Sequence, residues 1–171
     1  LCNWLDAEFP SLTKTIFKGI EYYCVPGCGV PKKAASGLAT FVTRFINEYA
    51  PEFQGPLRYV VAPSVDQCER LSGILFNAYS NPLMSSASGK NSDRAFYGRT
   101  FGSDIVLSNY WDDRHDVALL LIKSSWPKAL LMVQEGVAAY YGGYMDLSYS
   151  DIKASLRRYL ASKKDLDLSN D

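Results

Sequence analysis

Apolar and polar positions along the chain separate helical from extended stretches. Leu12, Ile16, Ile20 and Tyr23 recur at helical spacing and predict a first helix over about residues 11–23. The segment CVPGCGVP, residues 24–31, ends it, since two prolines and two glycines block continuation. A second helix is predicted over 33–49, with Leu38, Phe41, Phe45 and Tyr49 as its apolar stripe and Pro51 as its stop. The run LRYVVAP, residues 57–63, is β-branched and aromatic between turn residues and reads as a strand. Ser64 then caps a helix over 64–75, with Asp66 and Gln67 in its first turn.

Residues 77–93 are rich in Ser, Asn and Gly and form the one long loop, a length associated with mobility or function. DIVLS, residues 104–108, is a second buried strand. Asp112 and Asp113 can cap a helix that carries His115, Val117, Ala118, Leu119, Leu121 and Ile122. Pro127 fits the first turn of the following helix, and Gly142-Gly143 ends it. Ser148-x-x-Asp151 is a capping box for a last helix with the stripe Ile152, Leu156, Tyr159 and Leu160. No internal repeat or domain boundary is visible. The expectation is a single α+β domain over 1–171, helix-rich with a small sheet, helical up to residue 56 and mixed from 57 onward.

Composition narrows the function classes. The chain has 171 residues, 47% hydrophobic and 13% aromatic, which fits a folded domain with a substantial core. Eighteen acidic and eighteen basic residues cancel, so no global field recruits nucleic acid, and none is expected as a partner. The basic pairs Lys32-Lys33, Arg157-Arg158 and Lys163-Lys164 read as solvated surface. No apolar run approaches the roughly 20 residues that span a bilayer, so no transmembrane segment is expected. Leu1 stands beside a Cys, a Trp and two acids, with no signal peptide in view.

Cys24 and Cys28 flank a Pro-Gly turn, as a local disulfide or as two buried thiols. A metal knuckle would need a second such pair or a nearby His, and neither is present. With Cys2 and Cys68 the count is even, which suits an oxidising compartment without requiring one.

The stretch KALLMVQEGVAAYYGG, residues 128–143, carries the chemistry. Glu135 stands in the middle of an apolar helix, directly before Gly136. Burying such a carboxylate unpaired costs several kcal/mol, so a metal, an Arg or Lys, or helix N-terminal amides must meet it. Twenty residues upstream is His115, the single histidine of the chain, followed by Asp116. Taken alone, His115-Asp116 is a capping or surface pair, and Glu135 is a salt-bridge partner of Arg114 or Lys123.

Gln134-Glu135-Gly136-Val137-Ala138-Ala139-Tyr140-Tyr141-Gly142-Gly143 resembles the second-helix motif, roughly sEGlAtYlgG, of gluzincin-type zinc metallopeptidases. DIVLS ahead of the His-bearing helix, and Leu147-Ser148-Tyr149 entering an amphipathic helix, are similar to the same family. The resemblance covers about residues 57–171. It implies a zincin-like helix pair at the core and, as in many bacterial members, an exported, periplasmic or extracellular location. The family's first helix bears His-Glu-x-x-His, and its second supplies a Glu as third zinc ligand.

In one register His115 keeps the first ligand, Asp116 replaces the general-base Glu, and Leu119 replaces the second His. In the other, His115 is the second His, and Trp111 and Asp112 take the first two places. Either way one imidazole is lost, while catalytic zinc normally takes three protein ligands and a water. Asp116 as base would be one methylene short, and a displacement near 1 Å costs roughly 100-fold.

The resemblance therefore implies a non-catalytic, degenerate peptidase domain with a binding or structural role and no cofactor. His115 and Glu135 would be a vestigial or weak metal pair, and peptide or protein would lie in the groove between the two helices, bordered by an edge strand at 104–108. Two alternatives remain. One is an active metal-dependent hydrolase with zinc on His115 and Glu135 and Asp116 as base. The other is a plain interaction module unrelated to peptidases.

Overall fold

The computed structural model describes residues 11–78, 89–91, 94–96, 98–143 and 147–162. Its first elements are strands, not the predicted helix: β1 (Thr13–Phe17) pairs antiparallel with β2 (Ile20–Cys24). Lys18 and Gly19 join them with φ of 47° and 83°. Two successive left-handed residues make the tight turn that matches strand twist, and no α-helix can contain them. Thr13, Thr15 and Ile16 are β-branched, Tyr22 and Tyr23 are aromatic, and both classes favour strands. The apparent helical repeat arose from two strands read across a turn: Ile16 is 65% exposed while Ile20 and Tyr23 are buried.

The main sheet has the order β1-β2-β3-β7-β6. β3 (Leu57–Val61) lies parallel to β2, and β7 (Ile105–Ser108) parallel to β3. β6 (Gly98–Phe101), which periodicity did not reveal, closes the sheet antiparallel to β7. The edge strand is thus β6; the strand at 104–108, expected to be the edge, is interior and buried at all four positions. Gly89–Asn91, within the predicted long loop, form β4, which pairs antiparallel with β5 (Arg94–Phe96) in a separate ribbon.

Alternation along the strands sends side chains to two cores. Ile20, Tyr22, Tyr59, Val61 and Val106 pack under α1 (Lys32–Tyr49) and α3 (Arg114–Ser125). Tyr23, Val60, Ile105 and Leu107 pack with Cys68 and Leu75 of α2 (Val65–Ala78). Ser64 accepts the Gln67 amide at 3.3 Å, as a cap should. The fold is a single α+β domain with helices on both faces of a mixed sheet. Cys24, Cys28 and Cys68 are free thiols, so the turn at 24–28 holds no disulfide; Cys2 lies outside the described residues.

α3 is buried at every position from His115 to Lys123. α4 (Leu131–Gly142) packs along it, but begins later than Pro127 suggested. The Ala129 amide donates to the Trp126 carbonyl at 3.0 Å, forming a separate turn before the helix. Gln134 Nε2 donates to the same carbonyl at 2.9 Å and ties α4 to that turn. The capping box is present at α5 (Tyr149–Ser162), where the Ser148 amide donates to Asp151 at 3.0 Å. In its stripe Ile152 is partly buried, and the side chains of Leu156, Tyr159 and Leu160 lie outside the described residues.

Candidate functional site

The α3–α4 contact assembles the residues singled out by sequence. Asp113 is the N-cap of α3, and its carboxylate accepts the Asp116 amide at 3.2 Å and the Ser108 hydroxyl at 2.9 Å. Its own amide donates to the Tyr59 hydroxyl at 3.0 Å, which donates onward to the Tyr110 carbonyl at 2.7 Å. The end of β7, the middle of β3 and the start of α3 are thereby locked together. Because the helix begins at Arg114, Trp111 and Asp112 lie outside it, and the register that made His115 the second histidine fails.

His115 follows in the first turn and is buried, not a surface residue. Its Nε2 lies 3.5 Å from Glu135 Oε2, and its Nδ1 lies 3.5 Å from Asp116 Oδ1. The imidazole sits between two carboxylates at distances longer than good hydrogen bonds. Burial lowers its pKa below the usual 6.5, while Asp113 and Glu135 pull the other way and Lys123 adds to the lowering. Glu135 itself is one-third exposed. Arg114, one of its expected partners, instead forms a bidentate pair with Asp112. Lys123, the other, is buried two turns beyond Asp116; burial depresses its ammonium, and Glu135 and Asp116 oppose the shift.

Asp116 does not face an open cleft. A side chain at Gly98 of β6 would collide with its carboxylate and would meet Asp113 Oδ2 at 2.6 Å. The edge strand therefore lies directly on a buried carboxylate pair, which is the physical reason for a glycine at 98. Burial raises the Asp116 carboxyl to about 7, and burial together with Asp116 raises Asp113 well above the usual range. Two carboxylates in one dry site cannot both ionise cheaply, so the pair retains a proton.

A second glycine sets the helix spacing. A Cβ at Gly142 would lie 2.5 Å from the His115 amide nitrogen and 2.6 Å from the Arg114 carbonyl oxygen. Gly136, by contrast, is exposed, and a methyl group added there would meet nothing within 4 Å. The helix around Glu135 is also less buried than its apolar sequence suggested. Leu130 and Met132 are 72% and 79% exposed, and Leu131 and Val133 are exposed beside them. Tyr141 turns inward, with its hydroxyl 2.7 Å from that of Tyr49, while Tyr140 faces out against Tyr149.

The donor set can be tested against zinc. Two ligands held about 2.1 Å from a tetrahedral ion stand roughly 3.4 Å apart, and the His115–Glu135 separation of 3.5 Å is compatible with that. The third donor is lacking: Leu119, one turn on from His115, is a fully buried aliphatic side chain. Among the described residues no three His, Cys, Asp or Glu side chains are arranged to hold a metal. His115 and Glu135 thus supply two donors, one fewer than the three protein ligands a catalytic zinc normally takes. No known protein family, curated protein or solved structure matches the chain.

Proposed function

We propose that the chain is a degenerate, gluzincin-like peptidase domain that serves in binding or structure and not in catalysis. The observation that carries this reading is the meeting of His115 and Glu135 across two packed helices, with Leu119 buried where a second imidazole would stand. The order of elements supports it: an antiparallel edge strand, an interior strand running into the His-bearing helix, and the Glu-bearing helix next in the chain. Asp116 supports the loss of chemistry, because a buried carboxyl packed on Gly98 cannot present a base to water.

The partner in this reading is an extended peptide or protein segment beside β6, reaching over the groove between α3 and α4. No strand pairs with the outer side of β6 among the described residues. Strand addition there needs only backbone hydrogen bonds, so it does not depend on a metal. An exported location belongs to the same proposal and rests on the resemblance alone, since the described cysteines are free.

Zinc titration of the purified protein and of Glu135→Ala tests the reading. The expected affinity is weaker than about 1 μM, with less than one equivalent of zinc retained after purification. Tight, stoichiometric zinc that disappears in Glu135→Ala would sink the degenerate reading in favour of a working metal centre.

A further inference from the structure

A second feature lies away from the α3–α4 groove. The outer face of α1 and the loop before α3 enclose a cleft of about 990 Å³. Lys33, Gly37, Phe41 and Arg44 of α1 line it, with Asp112 and Arg114 opposite. Positions 33, 37 and 44 share one helix face, and the two cations at its ends are about 16 Å apart along the axis. Arg114 lies across the middle of that row, since a Cβ on Gly37 would touch its Nη2 at 3.3 Å.

Arg114 is held in place before any ligand arrives. Its Nε and Nη2 donate to the two oxygens of Asp112 at 2.9 and 2.8 Å, and its guanidinium carbon lies 5.7 Å from the Phe41 ring centre. That pair engages two of the five N–H donors of the fork. Neither Lys33 nor Arg44 has an ion-pair partner among the described residues. The cleft therefore carries three cations and one acid, within a chain whose charges balance overall. α1 also begins here: Pro31 is its N-cap and lines the cleft, no side chain caps the helix, and its first turn holds no acid. Its amides add to the attraction for negative charge.

We propose that this cleft binds a small polyanion, with carboxylate or phosphate groups bridging Arg114 to Lys33 or Arg44. A fixed guanidinium fork suits either oxyanion through paired N–H donors. The inference does not rest on the peptidase-like reading: it uses the Arg114 side chain, which lies against α1, and neither His115 nor Glu135.

Isothermal titration calorimetry of the full chain with citrate and with pyrophosphate tests it, at low salt and again near 0.2 M salt, where the Debye length falls to about 7 Å. Saturable binding of at least one anion is expected, weakened by salt and weakened about tenfold in Arg114→Ala. The double variant Lys33→Ala/Arg44→Ala, at two exposed helical positions where Ala favours the fold, should also bind more weakly while Lys128→Ala, outside the cleft lining, should not. Binding of citrate alone would assign the cleft to carboxylates, and of pyrophosphate alone to phosphates. Absence of saturable binding below about 10 mM, or equal affinity in wild type and the double variant Lys33→Ala/Arg44→Ala, would overturn the proposal.

Discussion

Asp116 is a carboxyl that the fold seals from solvent. Its carboxyl faces a strand glycine and a second carboxyl, and burial raises its pKa from 3.8 to about 7. The folded state therefore binds a proton that the unfolded chain has released between those two values. The resulting stability is complete below pH 3.8 and is lost as pH rises toward 7. Asp113 acts in the same direction, and His115 in the opposite one: its lowered pKa removes stability as pH falls below 6.5. Comparing wild type with Asp116→Asn isolates the first contribution. Denaturant midpoints measured from pH 4 to 8 should show the wild type losing its advantage across that range, with Asn equal or better at pH 8. A pH-independent difference would mean that the Asp116 carboxyl is solvated and ionised throughout. Neither the burial of Asp116 nor its contact with residue 98 is visible in a one-dimensional pattern, because the two segments meet only through the sheet. The pairing of His115 with Glu135 was more legible, since both lie on helices adjacent in sequence.

Helices and strands differed in how openly the chain declared them. α1, α2, α3 and α5 were legible because caps and stops mark their ends: Pro51 after α1, Ser64 before α2, Asp113 before α3 and the Ser148–Asp151 box before α5. The hairpin at 13–24 was not, because β2 buries both of its faces and loses the alternation that marks a half-exposed strand. β6 is four residues long and starts with glycine, so composition gives it no strand signature. Pro127 misled because it opens a turn and not the helix. The α3–α4 contact itself depends on Gly142, whose missing side chain lets its backbone rest on that of Arg114 and His115. Backbone cannot yield as a flexible side chain can, so Gly142→Ala should force the helices apart. We expect a loss of about 2–4 kcal/mol in unfolding free energy, with accelerated amide exchange in the first turn of α3. The corresponding change at Gly136, where a methyl group meets nothing, should be neutral or slightly stabilising through helix propensity. Equal effects at the two positions would show that helix propensity, and not close approach, governs both.

At the scale of the molecule, the sheet decides whether the chain behaves as one unit. A helical N-terminal part ending at residue 56 would be a separable appendage. Instead β2 pairs with β3 in parallel from Ile20–Leu57 through Cys24–Val61, so the main sheet runs across that point. Arg58 of β3 strengthens the seam through ion pairs with Glu21 of β2 and Asp104 before β7. Both cores use alternate residues of the same strands, and α3 touches α1, α4, β6 and β7. Removing any layer exposes a face of the sheet to water, which opposes stepwise unfolding. Urea denaturation followed by far-ultraviolet circular dichroism and by tryptophan fluorescence should therefore give coincident transitions. Tyr59→Phe supplies the sharper check, because Tyr59 joins β3 to the Tyr110 carbonyl and the Asp113 amide at the start of α3. Leaving that buried amide without its acceptor should cost about 1–3 kcal/mol and move both probes by the same amount. If only the fluorescence transition shifted, the N-terminal strands and α1 would be unfolding independently of the α3–α4 pair, and the two cores would not be coupled through their common sheet.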